Sequence, residues 1–198
     1  DASMTIGLND AFRGRVDPAS MRCCDHRRLL YLMPEPRISS FPPLLGQRPR
    51  LLILGSMPGV ASLAAQQYYA HPRNAFWSIL CSWCGVSAEL PYRHRVEALL
   101  QAGIAVWDVL AHCQRPGSLD SAIDLTTAQP NAIAELLQEQ PGITRICFNG
   151  AAAAELYRRH RLPAAPPLQL IRLPSTSPAH AGMALAEKMR RWHAALTR

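Results

Sequence analysis

The sequence predicts an α/β domain in which a mostly parallel sheet is covered by helices on both faces. Three observations carry this reading. Four short apolar runs have strand character, helical stretches separate them, and the last helix has one apolar face. Strands that alternate with helices run parallel through crossover connections, and a parallel sheet needs cover on both sides.

Residues 1–37 show little readable pattern. They mix polar turns, Cys23-Cys24, a basic patch at His26-Arg27-Arg28, and Pro34 and Pro36. The chain starts at Asp1 rather than Met, and this stretch is expected to be an N-terminal extension, partly disordered, ahead of a single domain over 38–198. The alternation begins after Phe41. Leu51–Leu54 reads as the first buried strand, followed by helices at Asn74–Cys84 and Arg93–Gln101. Ile104–Trp107 is the second strand. A helix over Asn131–Glu139 puts Ile133, Leu136 and Leu137 on one face, and Ile143–Phe148 is the third strand. Ala151–His160 is helical, Pro163–Pro167 is a stiff loop, and Leu168–Leu173 is the fourth strand. The last helix, Ala181–Leu196, places Leu185, Met189, Trp192 and Leu196 at i, i+4, i+7 and i+11, one apolar face.

Composition narrows the function classes. The 198 residues suit one domain with a sizeable core. A net charge of +7 favours a polyanionic partner, most simply nucleic acid, over a basic protein with no such partner. Of 21 basic residues only Lys188 is a lysine. No apolar run approaches the roughly 20 residues that span a bilayer, and the N-terminus lacks a signal peptide's features. A cytoplasmic monomer with no membrane partner is expected. The six cysteines are expected to be reduced. Cys81-Ser-Trp-Cys84 has metal-ligand spacing, but it sits within a helix and no second pair answers it, so buried thiols are preferred and no metal or cofactor is expected.

In a parallel sheet the ligand site lies at the carboxyl ends of the strands. Those ends carry Gly55-Ser56-Met57-Pro58-Gly59, Asp108, Asn149-Gly150 and Pro174-Ser175-Thr176-Ser177-Pro178. Gly55–Gly59 is neither a P-loop nor a dinucleotide fingerprint; it is a strand-ending turn or a place where a ligand meets the backbone. In Tyr68-Tyr69-Ala-His-Pro-Arg73-Asn74, Asn74 suits an N-cap, or its amide orients a water or a base edge. The Tyr69 ring suits stacking or plain packing. Ser175, Thr176 and Ser177 offer hydroxyls to phosphate, or Ser177 caps a helix entered through Pro178. Asn149 reads a base edge or makes a turn.

Taken together these segments resemble the uracil-DNA glycosylase superfamily. Gly55-Ser-Met-Pro-Gly59 with Tyr69-Ala-His-Pro-Arg-Asn-Ala-Phe-Trp77 is similar to the first motif of mismatch-specific uracil/thymine-DNA glycosylases. The closer likeness is to the hypoxanthine-DNA glycosylase branch, through Trp107-Asp-Val-Leu110, Arg115-Pro-Gly-Ser-Leu-Asp120, Phe148-Asn-Gly150 and Leu173-Pro-Ser-Thr-Ser-Pro-Ala179. The likeness spans residues 38 to 196. It implies a three-layer α/β/α sandwich with a central four-stranded parallel sheet. It implies a DNA-repair enzyme that hydrolyses the N-glycosidic bond of a deaminated base in double-stranded DNA. The alternatives are a uracil or mismatched-thymine glycosylase on the same fold, or a non-catalytic nucleic-acid binder.

The resemblance also assigns roles. Met57 stands where mismatch glycosylases carry a water-orienting Asn, so the catalytic part passes to Asn74, the position that holds it in the hypoxanthine branch. Leu173 replaces the histidine that other families carry, and Pro178 and Ala179 leave no large apolar wedge. The base pocket is expected from Gly55, Ser56, Met57, Pro58, Tyr69 and Asn149, with Tyr69 stacking on the flipped base. Backbone groups at Ser56–Pro58 and the Asn149 amide are expected to read its edge. DNA contacts are expected from Gly59, Arg73, Pro174, Ser175, Thr176 and Ser177. Lys188 is expected to lie away from every motif, which implies a monofunctional enzyme without a Schiff-base amine.

Overall fold

A computed structural model describes residues 37–163 and 168–197. The expected extension therefore lies, except for Arg37, outside the described residues, as does the loop at Pro163–Pro167 except for Pro163. Two sheets organise the described chain. The larger has four parallel strands in the order β3 (Ile104–Asp108), β2 (Leu51–Gly55), β6 (Arg145–Asn149), β7 (Gln169–Leu173). These are the four expected apolar runs. In β2 and β3 every residue is buried; β2 lies between two strands, and β3, at the sheet's edge, is flanked by the Leu44 bridge to Val106.

Among the described residues six helices surround that sheet: α1 (Val60–Ala65), α2 (Phe76–Cys84), α3 (Tyr92–Gln101), α4 (Ile133–Glu139), α5 (Ala151–Arg159) and α6 (Leu185–Thr197). The arrangement is the expected three-layer α/β/α sandwich. Helix α2 packs on α3 and α6, while α5 packs on β6 and β7. Phe76 and Trp192 are fully buried where α2 meets α6, with ring centroids 6.3 Å apart. Phe148 of β6 meets Tyr157 of α5 edge-on at 5.0 Å. Aromatic burial of this size dominates the packing energy of the helix–sheet interfaces.

A second sheet was not expected. Antiparallel β1 (Arg37–Ser39), β4 (Leu110–Gln114) and β5 (Asp124–Pro130) pair in the order β1-β4-β5. No residue of β5 is buried, so it shows no apolar run for sequence reading to catch. Asn131 ties this sheet to the main one: its Nδ2 donates to Asp108 O at 2.8 Å, Leu110 O at 3.1 Å and Ser40 Oγ at 3.1 Å. That clamp fixes the carboxyl end of β3.

Helix boundaries bring two further corrections. Helix α1 is only six residues long and was not anticipated. Helix α6 begins at Leu185, not Ala181, because residues 178–184 form turns around Pro178 and Gly182. Ser177 therefore caps no helix. Its Oγ accepts the Ala179 N–H at 3.3 Å, a turn bond.

Candidate active site

The switch in strand order sets the site. From β2 the chain crosses to β3 on one side, and later to β6 and β7 on the other, so a crevice opens over the carboxyl ends around β2. There lies a cleft of about 100 Å³ lined by the Gly55–Gly59 turn, Tyr69, Asn74, Asp108, Asn149 and the Ser175–Ser177 loop. The structure thus gathers all six expected base-pocket residues, Asn74 and most of the expected DNA contacts. Arg73 lies in an adjoining cavity with Asn74, and Pro174 stays behind, its carbonyl accepting Trp192 Nε1–H at 2.9 Å. A larger hollow of about 590 Å³ between β7 and α6 has mostly apolar walls, with Arg172, Arg190 and Arg191 among its lining and none of the expected base-pocket residues.

Asn74 serves its local role and keeps capacity for another. Its Oδ1 accepts the Phe76 N–H at 3.0 Å, the first amide of α2, which locks the carboxamide at the cleft edge. An amide oxygen carries two lone pairs, so one remains, together with the Nδ2 donors. The cap and the water-holding role are compatible.

Tyr69 adopts φ 55°, a left-handed conformation uncommon for a large side chain. Its ring stacks on Phe76, with centroids 3.9 Å apart and planes 17° off parallel. One face is thereby backed by a fixed aromatic. The Oη is buried and lacks a partner in hydrogen-bond geometry, although the nearby Asn149 amide partly offsets the rise in its pKa. Burial raises the phenol pKa far above the ordinary value, so the group stays a neutral donor.

Asp108 closes one of the strand ends expected to face the ligand, but the sequence assigned it no role there. It is 3% exposed at the end of β3, and its Oδ2 has no partner. Burial, reinforced by Asp120 and opposed by Arg115, pushes its pKa up to about 8. The carboxyl is then protonated at neutral pH and able to donate. Gly55 explains how it fits: a Cβ there would collide with Asp108 Oδ1 and lie 2.9 Å from Tyr69 Oη. The sequence hinted at it through a carboxylate closing an otherwise apolar run and through the Trp107-Asp-Val-Leu110 likeness.

The turn after β2 is held, not free. Ser56 O accepts from Leu110 N at 3.1 Å, while Met57 O and Pro58 O accept from the guanidinium of Arg115, whose side chain is fully buried. Arg115 Nε also donates to Gly117 O at 3.1 Å. Ser56 Oγ donates to Asp120 at 2.6 Å, and Ser118 Oγ accepts from Val60 N at 2.9 Å. The segment Arg115–Asp120 is therefore a brace for the turn. Each of these carbonyls already accepts a protein donor, which fixes the turn that was expected to offer backbone groups to a base edge. Met57 is buried in the core and gives the cleft an apolar wall.

The serine loop needs a second correction. Thr176 is 1% exposed, so its hydroxyl is shut off from any DNA phosphate. It pairs with Asn149 instead, Nδ2 donating to Oγ1 at 2.8 Å and the Thr176 N–H to Oδ1 at 2.9 Å, while its carbonyl accepts from Ala75 N at 3.0 Å. Thr176 and Asn149 together weld the loop to β6 and α2. Ser175 and Ser177 are only half-buried, and their oxygens accept turn bonds, leaving the O–H groups to donate. Gly150, at φ 101°, lets the loop in: a Cβ there would sit 2.9 Å from Ser175 Cβ.

The candidate metal pair has other surroundings. Cys81 is buried in α2, and Cys84 Sγ lies 4.0 Å from Ala98 O, with burial raising its pKa to about 11. No group of three or more metal-ligating side chains occurs among the described residues. No described helix is long and apolar enough to cross a membrane.

Comparison with known proteins shows which family and fold the chain resembles. The model of the uracil DNA glycosylase superfamily matches residues 42–196. The chain is 36% identical over 116 residues to a hypoxanthine DNA glycosylase of Methanosarcina barkeri, covering 58% of this chain and 72% of the relative. A hypoxanthine DNA glycosylase of Methanosarcina acetivorans is 35% identical over the same extent. A solution NMR structure of a uracil DNA glycosylase candidate from Methanosarcina acetivorans superposes with a TM-score of 0.67 at 30% identity, covering 81% of this chain and 97% of that one.

Proposed function

The chain belongs to the uracil DNA glycosylase superfamily, and on that premise we propose that it excises hypoxanthine from deoxyinosine in double-stranded DNA. The observation that carries the reading is the cleft where Asn74, Tyr69, Asp108 and Asn149 converge, in a chain similar to two hypoxanthine DNA glycosylases.

A base inside a duplex cannot reach such a cleft, so the nucleotide must be flipped out. The face of Tyr69 not covered by Phe76 stacks on the flipped ring. At the cleft floor, the neutral Asp108 carboxyl offers a donor to the base, and Asn149 retains one N–H and one lone pair beyond its bonds to Thr176. Breaking the C1′–N bond builds positive charge on the sugar and negative charge on the base. Fixed donors facing the base stabilise that charge by roughly 3 kcal/mol each in a site closed to water. An ionised Asp108 would oppose it, so the raised pKa matters to the chemistry.

Asn74 holds the attacking water with its remaining lone pair. A carboxamide is too weak a base to remove a proton early, so its contribution is position. Ser175 and Ser177 donate to phosphates on either side of the flipped nucleotide, and Thr176 keeps the loop in place from behind.

The test is a panel of duplexes carrying hypoxanthine, uracil, xanthine or a G·T mismatch, scored for alkali-labile abasic sites. Hypoxanthine is expected to be released fastest. Release of uracil or thymine with hypoxanthine left intact would overturn the choice of base.

A further inference from the structure

Lys188, the one lysine of the chain, was expected to lie apart from the motifs. The fold places it beside them. It lines a cavity of about 340 Å³ together with Arg73, Asn74, Ser78, Ser177 and His180. That cavity shares Asn74, Thr176 and Ser177 with the base cleft, so the two are neighbours across one wall.

The electrostatics of this second cavity are one-sided. No Asp or Glu lines it. Lys188 is 5% exposed, and its Nζ donates to His180 O at 2.8 Å, but it forms no ion pair among the described residues. Glu187, next in sequence, is committed elsewhere, to Arg190 at 2.8 Å and Arg191 at 2.6 Å. A covered ammonium without a counter-charge is unfavourable, and desolvation lowers its pKa. An anion in the cavity would relieve this. A compact ammonium suits an enclosed point contact better than a broad guanidinium does, which fits the single lysine among 20 arginines.

We infer that this cavity binds a DNA phosphate next to the flipped nucleotide, with Lys188 as its covered counter-charge and Arg73 and the Ser177 hydroxyl at its mouth. The inference rests on the glycosylase reading and deepens it. A phosphate held here, beside the Asn74 that lines both cavities, anchors the sugar over the water that Asn74 holds.

The test measures binding of a deoxyinosine duplex between about 50 and 200 mM salt. Lys188→Met is expected to weaken binding about tenfold at the lower salt, the scale of one hydrogen bond to a charged group. It is also expected to reduce the slope of log K against log salt by about 0.9, the share of one phosphate. A second measurement avoids any folding defect in the variant. Reductive methylation with ¹³C-formaldehyde keeps the charge and labels one side-chain amine. Its NMR signal is expected to shift, and its pKa to rise, when duplex is added. An unchanged slope with an unmoved signal would overturn the phosphate site. So would a borohydride-trapped protein–DNA adduct through Lys188, which would make the amine a nucleophile at C1′. Base release by the unmodified protein, scored on the same duplex, tests the underlying reading separately. Release with an unchanged slope overturns only the phosphate site, whereas absence of release overturns the glycosylase reading.

Discussion

At the scale of the residue, the site turns on Asn74 and Asp108. Sequence alone left Asn74 divided between a helix cap and a catalytic amide, and one bond, Phe76 N–H to Oδ1 at 3.0 Å, reconciles the two. Removing the side chain should therefore cost about 1 kcal/mol of stability as well as activity. Asn74→Asp keeps a capping oxygen, and any loss of base release in that variant belongs to chemistry. Asp108 was legible as a polar residue ending an apolar strand and as part of a family likeness, but without a role. Its raised pKa depends on neighbours distant in the chain, which no local pattern reveals. The folded state holds this proton up to about pH 8, whereas an unfolded Asp releases it near 4. Between those values the folded state binds more protons, so this group makes stability fall as pH rises. Asp108→Asn removes the effect. Its melting temperature relative to the unmodified protein is expected to improve steadily from about pH 4 to 8 and then level off. Single-turnover base release should decline in the unmodified protein as pH rises through about 8, and stay flat there in Asp108→Asn. A shared decline in both proteins would remove Asp108 from the chemistry.

At the scale of the element, what could be read was what burial writes into sequence. Strands β2, β3 and β6 announced themselves as apolar runs because they are buried, whereas β7, expected to be buried, is an edge strand with only Leu173 buried. Strand β5, Asp-Leu-Thr-Thr-Ala-Gln-Pro, has no buried face and gave no such signal. The turns before α6 were misread as helix because the apolar spacing of Leu185 and Met189 was extended backward past Gly182. The segment Arg115–Asp120 carried a family likeness without a visible job, and the fold supplies one: a buried guanidinium tying three carbonyls from two loops. Arg115→Met should leave those carbonyls without their donor and cost about 3 kcal/mol. Urea unfolding would show it as a lower midpoint. Base release should fall too, since the turn walls the cleft; an unshifted midpoint would mean the brace is dispensable. Thr176 teaches the reverse lesson. A hydroxyl in a polar loop reads as a ligand group, yet three hydrogen bonds and near-complete burial make it a rivet.

At the scale of the whole molecule, strand order does the assembly. With β2 between β3 and β6, the ends of separate chain segments face one crevice, and residues 55, 69, 74, 108 and 149 share its walls. The adjoining cationic cavity and the +7 net charge supply attraction to a polyanion that does not depend on base sequence. Recognition of one damaged base is left to the cleft. The most direct measurement is single-turnover release of hypoxanthine from a deoxyinosine duplex, with duplex affinity measured on the same preparations of the unmodified protein and Asn74→Ala. The account predicts rapid release by the former, a loss of roughly 100-fold or more in the latter, and affinities within a few-fold of each other. Equal release rates would contradict the assignment of the water to Asn74, and no release by either would contradict the enzyme.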